Sequence, residues 1–399
     1  MRKMTRYIGM WLSNILMLLM LVACSSSSKD EEEPQPNGKP VLKIYVFSPD
    51  HPMVTRGDGS EIDASIEENK IHKLQVWVFE TLSHKAVGYV DLDDVTISET
   101  GSEVMMDIIN DEFADAEDKP NVDVFVAANV TQANCGLSLD RDMTWDELDG
   151  SVIGTNYFSA QPSHQVTSVP DKGLPMSGVL KDRSVSGTSP VFQVKNDEGG
   201  LANVKIMRAV SKMRFVFCQS TKNTDQVVIE SIGLSTGLPT QENLFLQLPY
   251  PNQKCRVNDE YETAATLITP PDGTVISRND SPASYSYDPS KFATSLEYEN
   301  TINEGISADP PKLTQIGQFY LRESNESDEP EKMISGTINY KINGESRSKT
   351  FSLKEPGDFT RNHTWIVYGY FVTSGDLEVS AVEIKNWIDT EQGQEIYNW

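Results

Sequence analysis

The sequence predicts an all-β protein, and three observations carry that prediction. Past residue 57, apolar residues recur with period two in run after run, the spacing that sends alternate side chains to opposite faces of a strand. Gly, Asn, Asp and Pro, the residues that suit turns, break the runs apart. Long helical periodicity is missing from the sequence, so helices are expected only as brief decoration.

The chain opens differently. Arg2, Lys3 and Arg6 precede an apolar run from Tyr7 to Val22, and "LVAC" closes it at Cys24. That run of about 16 residues is short of the roughly 20 that span a bilayer, and it ends in small residues suited to cleavage. Leu21-Val22-Ala23-Cys24 matches the lipobox of bacterial lipoproteins, where the signal peptidase cuts before a cysteine already linked to diacylglycerol. Residues 1–23 are therefore expected to be a signal peptide, and Cys24 the lipidated residue that fixes the chain to the outer membrane. "SSSSKDEEEPQPNGKP" follows, with no apolar anchor to offset the entropy of ordering, so it is expected to be a tether. Its acidic run, Asp30 to Glu33, reads either as a solvated linker or as a stretch that resembles a signal for transport to the cell surface.

Formal charge is -25, and loss of the three basic residues of the signal makes the mature chain more acidic still. Such a chain repels phosphate backbones, so nucleic acid is not an expected partner. A mature length of about 375 residues suits two or three domains, each large enough for its own core. With Cys24 spent on lipid, Cys135, Cys218 and Cys255 remain, an odd number without CxxC spacing. One disulfide plus a free thiol, or three free thiols, both satisfy that count.

Taken in order, the first strand lies in "KPVLKIYVFSPDHPMVTR", where Leu42, Ile44 and Val46 alternate with Lys43 and Tyr45 ahead of a proline-broken loop. Residues 24–56 are thus tether plus first strand. In "KLQVWVFE", Leu74, Val76 and Val78 share one face while Trp77 and Phe79 share the other. "NVDVFVAAN" alternates Val122, Val124 and Val126 with Asp123 and Phe125, and both runs read as sandwich strands. "MTWDELDG" is the clearest helical piece, because Thr144 followed by Glu147 fits a capping box ahead of Gly150. Gly199-Gly200 close a polar stretch before a fresh strand pattern with Met213, Phe215 and Phe217, which sets the expected division at 57–205 and 206–399. In "TINYKINGESRSKTFSL", Ile338, Tyr340 and Ile342 share a face before Asn343-Gly344, the strongest short hairpin signal.

The sequence offers no catalytic constellation, so the chain is not expected to be an enzyme. His51, His72, His84, His164 and His363 are scattered, with no HExxH and no metal-ligand spacing. "GLSTG" around Ser235 satisfies GxSxG, but a nucleophile elbow needs a strand turning into a helix, and "LPTQENLFLQLP" has two prolines and no helical stripe. Asp91, Asp93 and Asp94 lack the ligand order of an EF-hand. No cofactor or metal is expected.

Arg56 raises a separate question, because "MVTRGDGSEID" offers both an RGD tripeptide and a site for an arginine-specific protease. Cutting between Arg56 and Gly57 would destroy the RGD. Here the sequence resembles the fimbrillins of Bacteroidales, the subunits of type V pili. The resemblance covers nearly the whole chain. It rests on the lipobox at Cys24, "VTR" about thirty residues later, "IHKLQVWVFE", "GLPMSGVL" at Gly173 to Leu180, "RAVSKMRFVF", "QFYLRES", "RNHTWIVYGYFV", and a tail with Trp387 and Trp399.

The resemblance implies two transthyretin-like β-sandwich domains exported as a lipoprotein precursor. An arginine-specific maturation protease would remove lipid, tether and first strand by cutting after Arg56, and the vacated groove would accept a donor strand from another fimbrial subunit. Candidate donor residues on this chain are Leu377, Val379 and Ala381, with Ile384 and Trp387 extending the apolar content; the same stretch also reads as the last core strand of the second domain. Two alternatives stand beside the polymerising subunit. One is an anchor that keeps its lipid and first strand; the other is a tip or surface adhesin that binds host protein or glycan through loops bearing residues such as Tyr285 and Tyr287.

Overall fold

Nearly every period-two run that the structure covers is a strand. The structure is a computed structural model and describes residues 39–47, 66–97, 101–153, 169–220, 222–236, 240–246, 266–268, 276, 278–279, 314–323, 334–352, 361–362, 364–371, 377–384 and 396–398. Residues 40–399 form one unit, and everything below belongs to it.

Up to residue 208 the strands are β1 (Val41–Phe47), β2 (Ile71–Glu80), β3 (Ala86–Val95), β4 (Ser102–Asp107), β5 (Val122–Ala128), β6 (Val152–Ile153), β7 (Met176–Arg183), β8 (Val185–Thr188), β9 (Val191–Val194), β10 (Asn203–Lys205) and β11 (Met207–Arg208). From residue 211 they are β12 (Ser211–Ser220), β13 (Val227–Thr236), β14 (Glu242–Asn243), β15 (Thr266–Ile268), β16 (Arg278–Asn279), β17 (Thr314–Leu321), β18 (Ser335–Ile342), β19 (Glu345–Ser352), β20 (Thr364–Phe371), β21 (Leu377–Ile384) and β22 (Ile396–Asn398). The helices are single turns: α1 (Ile66–Asn69), α2 (Asp111–Asp115), α3 (Gln132–Cys135) and α4 (Trp145–Asp149). The protein is all-β with short helical decoration, and among the described residues no helix is long and apolar enough to cross a membrane.

Sheet membership changes between β11 and β12. Before it, one five-stranded sheet runs β10-β1-β9-β8 with β4 also paired to β1, and another runs β11-β7-β5-β2-β3. After it, β16-β12-β20-β21-β22, with β17 on β12, faces β15-β13-β18-β19. Side chains join the sheets in pairs. Leu74, Val76 and Val78 of β2 and Val122, Val124 and Val126 of β5 meet Leu42, Ile44 and Val46 of β1 in one cluster, while Met213, Phe215 and Phe217 of β12 meet Ile338, Tyr340 and Ile342 of β18 in another.

The outer face of the β2–β5 sheet is also covered. Trp77, Phe79 and Phe125 pack under Leu139, Leu148 and Ile153 and under Leu244, Phe245 and Tyr320 from the later part of the chain. Asp123, which the alternation places on that face, is only 2% exposed and accepts hydrogen bonds from Thr81 Oγ1 (2.7 Å), Asp182 N (2.8 Å) and Trp145 Nε1 (2.8 Å). A carboxylate buried there needs those donors.

Local signals resolve as their chemistry requires. Thr144 caps α4, with Thr144 N donating to Glu147 Oε2 (2.8 Å) and Glu147 N to Thr144 Oγ1 (3.3 Å). Asn343 and Gly344 have φ of 54° and 87°, the signs a type I′ turn needs, and join β18 to β19 in register from Ile342↔Glu345. Gly178, inside "GLPMSGVL", lets β7 and β10 cross closely: a Cβ there would stand 2.5 Å from Lys205 O.

Candidate functional site

The first strand among the described residues, β1, is an interior strand. β4 pairs antiparallel with β1 along one edge, Val41↔Asp107 to Val46↔Ser102. On the other edge β9 runs parallel to residues 41–43 and β10 to residues 45–47. Further bonds close both ends: Val41 N donates to Pro190 O (2.7 Å), Ile108 N to Pro40 O (2.9 Å), and Ile206 N to Phe47 O (3.1 Å). Leu42, Ile44 and Val46 are each 0% exposed and point into the cluster between the sheets. At about 1.5 to 3 kcal/mol per buried aliphatic side chain, these anchors contribute an upper estimate of about 5 to 9 kcal/mol. Without β1, β4 and the β9/β10 edge would flank an apolar slot one strand wide.

Residues 205–208 hold the chain on both sides of the 48–65 segment. Lys205 pairs with Phe47 at the end of β1, and Arg208 Nε donates to Glu68 O (3.3 Å) in α1. Arg208 Nη1 also reaches Asn362 Oδ1 (2.8 Å), and Nη2 donates to Asn69 Oδ1. Glu68, 1% exposed, pairs with Lys212 Nζ (2.7 Å) and accepts from the Tyr320 hydroxyl. A chain cut within 48–65 would therefore keep both new ends tied near one short run.

A second buried polar group lies beside it. Arg361 Nε donates to Glu323 Oε1 (2.6 Å), and its Nη atoms reach Leu244 O (2.7 Å) and Asn243 O (2.6 Å). Glu242 Oε2 accepts from Glu323 N (3.0 Å), while its Oε1 has no hydrogen-bond partner among the described residues. Burial, reinforced by the neighbouring Glu323 carboxylate, pushes the Glu242 carboxyl up to about 8, against the pull of Arg361 and Arg322. Neither group was visible in the sequence, because their members are 38 to 252 residues apart; the only local hint was charged residues inside strand patterns.

At the other end of the chain, β21 pairs with β20 from Phe371↔Leu377 to Thr364↔Ile384, so Leu377, Val379, Ala381 and Ile384 all lie in a resident strand. Leu377 is 3% exposed and belongs to the later core. Among the described residues, the outer edge of β21 carries only β22, over Ser380 to Val382. Cys24, Arg56, Gly57, Trp387, Tyr285 and Tyr287 lie outside the described residues.

Ser235 sits within β13. His72 Nδ1 lies 3.4 Å from Asp94, and His84 stacks on Trp145 beside Asp146; His51, His164 and His363 lie outside the described residues. Asp91 pairs with Lys73 (3.0 Å) on neighbouring strands. Among the described residues no group of His, Cys, Asp or Glu is placed to hold a metal ion. Cys135 is a free buried thiol that burial pushes up to about 12, which makes it inert packing.

Residues 51–210 match the family model of the major fimbrial subunit protein (FimA). No curated protein matches the chain. Among solved structures it is similar to the tip fimbrial protein Mfa3 from Porphyromonas gingivalis with C-terminal truncation, at 13% identity and a TM-score of 0.46, covering 90% of this chain and 100% of that one. It is also similar to a fimbrial assembly protein from Parabacteroides distasonis, at 13% and 0.42 over 90% and 100%. The fimbrial anchor protein Mfa2 from Porphyromonas gingivalis follows at 10% and 0.36, over 90% and 98%. Likeness at this level carries no functional conclusion.

Proposed function

We propose, from the fimbrillin-family identity of residues 51–210, that this chain is a structural subunit of a cell-surface fimbria that supports adhesion. It is exported as a lipoprotein through Cys24, reaches the outer membrane surface, and is matured by an arginine-specific protease that cuts between Arg56 and Gly57. β1 then leaves, and a strand from the C-terminal end of another subunit takes its place. On this reading the sheets before β12 and those from β12 onward are two transthyretin-like sandwich domains.

The observation that carries the proposal is the position of β1, an N-terminal strand enclosed between β4 and β9/β10 with Leu42, Ile44 and Val46 fully buried. A removable interior strand leaves two unpaired edges and an apolar floor, a template for strand addition. Ladder hydrogen bonds add about 1 kcal/mol net each, so a donor with more anchors displaces a resident strand that is no longer covalently tied. A second reading, an anchor or adhesin that keeps lipid and β1, is favoured by the completeness of β1's bonding.

Intact mass and N-terminal sequence of the protein recovered from the cell surface test both readings. A chain beginning at Gly57 supports the matured subunit. One beginning at lipidated Cys24 supports the uncut anchor or adhesin and sinks the maturation step.

A further inference from the structure

Among the described residues β10 pairs with β1 alone, from Tyr45↔Asn203 to Phe47↔Lys205, and Ile206 N donates to Phe47 O (3.1 Å) just past the ladder. Ala202, Val204 and Ile206 are each 0% exposed and lie in the cluster that Leu42, Ile44 and Val46 fill. Both the register and the packing of residues 202–206 therefore depend on a strand in the β1 position. The same run continues into the joint with the later sheets. Arg208 is 0% exposed, and its guanidinium spans two regions: Nε donates to Glu68 O (3.3 Å) and Nη2 to Asn69 Oδ1 in α1, while Nη1 donates to Asn362 Oδ1 (2.8 Å) at the foot of β20. Asn362 N donates in turn to Val210 O (2.7 Å), and Lys212 Nζ pairs with Glu68 Oε1 (2.7 Å). Between these ties β11 adds a short ladder, Met207↔Ser177 and Arg208↔Met176. Residues 202–212 are thus a strap, tied to β1 at one end and to a buried polar group at the other. A buried guanidinium is stable only while its partners stay placed around it, so a shift of the strap is felt at Glu68 and Asn362.

We propose that residues 202–212 are a conformational coupler: a strand in the β1 position holds the strap in register, and the strap holds Arg208 in the polar group that fixes the later sheets to the earlier ones. An empty slot loosens that joint, and a filled slot sets it. The consequence for assembly rests on the strand exchange proposed above: a matured subunit waiting for its donor strand is hinged between its two halves, and one that has received it is stiff. Segments that share packed partners open together, and the coupling acts equally in both directions.

The test is amide hydrogen exchange in the full, uncut chain. Wild type is compared with Ile44→Ala, which weakens β1, and with Val87→Ala, a cavity in the same cluster but on β3, with urea set so that the two variants have equal global stability. Ile44→Ala is expected to speed exchange about tenfold more than Val87→Ala does, both at Ile206, whose amide is bonded to β1, and at Asn362, whose amide is bonded to Val210 beyond Arg208. In the other direction, Arg208→Met is expected to speed exchange by a similar factor at Tyr45, whose amide donates to Ala202 O (3.3 Å). Val46→Ala, a smaller loss in the same strand, gives the same reading where Ile44→Ala leaves too little folded chain. Exchange that quickens at Ile206 while Asn362 keeps its wild-type rate, or equal rates in Ile44→Ala and Val87→Ala, overturns the coupler. Because the chain is never cut, those outcomes leave the maturation reading standing; a cell-surface chain that begins at lipidated Cys24 sinks maturation and leaves the measured coupling in place.

Discussion

β1, near the start of the described residues, and β21, near their end, sit in opposite situations. β1 is enclosed, with β4 on one edge, β9 and β10 on the other, and three side chains in the core. β21 lies beyond β20 and, among the described residues, is covered on its outer edge only by the three residues of β22. Loss of β1 would leave a hole with two unpaired edges, whereas lifting β21 would expose one. An interior strand must be replaced; a strand near the edge can be lent. That asymmetry matches the front of the chain to the receiving role and the back to the giving role in the proposed assembly.

The largest expected effect comes from deleting residues 39–47. The loss of about 5 to 9 kcal/mol of anchor burial should leave a chain that melts far below wild type and is restored by a synthetic peptide of sequence VLKIYVF. Removing residues 377–399 should lower the melting temperature less; equal losses would break the comparison. Next comes Arg361→Met, which strands the fully buried Glu323 carboxylate and should cost about 3 to 5 kcal/mol in urea unfolding. A cost near zero would mean that the start of β20 is held by its sheet and not by this polar group.

Ile44→Ala should cost about 3 kcal/mol in the intact chain. It should become silent once β1 has been cut and displaced, while Leu377→Ala costs a similar amount before and after. The last prediction concerns pH. The Glu242 carboxyl titrates near 8 in the folded chain against 4.5 as its ordinary value. Between those values the folded state holds a proton that the unfolded state has shed, so rising pH favours unfolding, by at most about 1.4 kcal/mol per pH unit. Below 4.5 the group adds no pH dependence, and above 8 its cost is complete. Glu242→Gln should therefore gain on wild type as pH rises through that window, measured by denaturation midpoints; Glu323, Arg361, Arg322 and Cys135 are the charged and titratable groups that face it.

Much of the fold was legible because its signals are local. The two faces of "KLQVWVFE" point into two different clusters as the alternation requires, the Thr144 box caps α4, and Asn343-Gly344 turns β18 into β19. The strand at Leu42, Ile44 and Val46 was equally readable. Its place was not. Alternation says that one face of β1 is buried, but it does not say that β9 and β10, some 150 residues later, close its second edge. Asp123 shows the same limit. Alternation puts it on the face opposite Val122, Val124 and Val126, but only the fold brings up its donors, Trp145 of α4, Asp182 N of β7 and Thr81 after β2.

By itself, the sequence determined the class of the fold, the faces of its strands, its caps and its tight turn, since each depends on residues within a few positions of one another. It also marked Cys24 and Arg56 by motif. Tertiary structure alone decided that β1 is interior and that β21 lies near an edge, and it alone brought Glu68 to Lys212 and Tyr320, and Glu323 to Arg361. The physical reason is that a buried charge survives only where distant segments supply its partners at the same point in space. No spacing along the chain encodes that meeting.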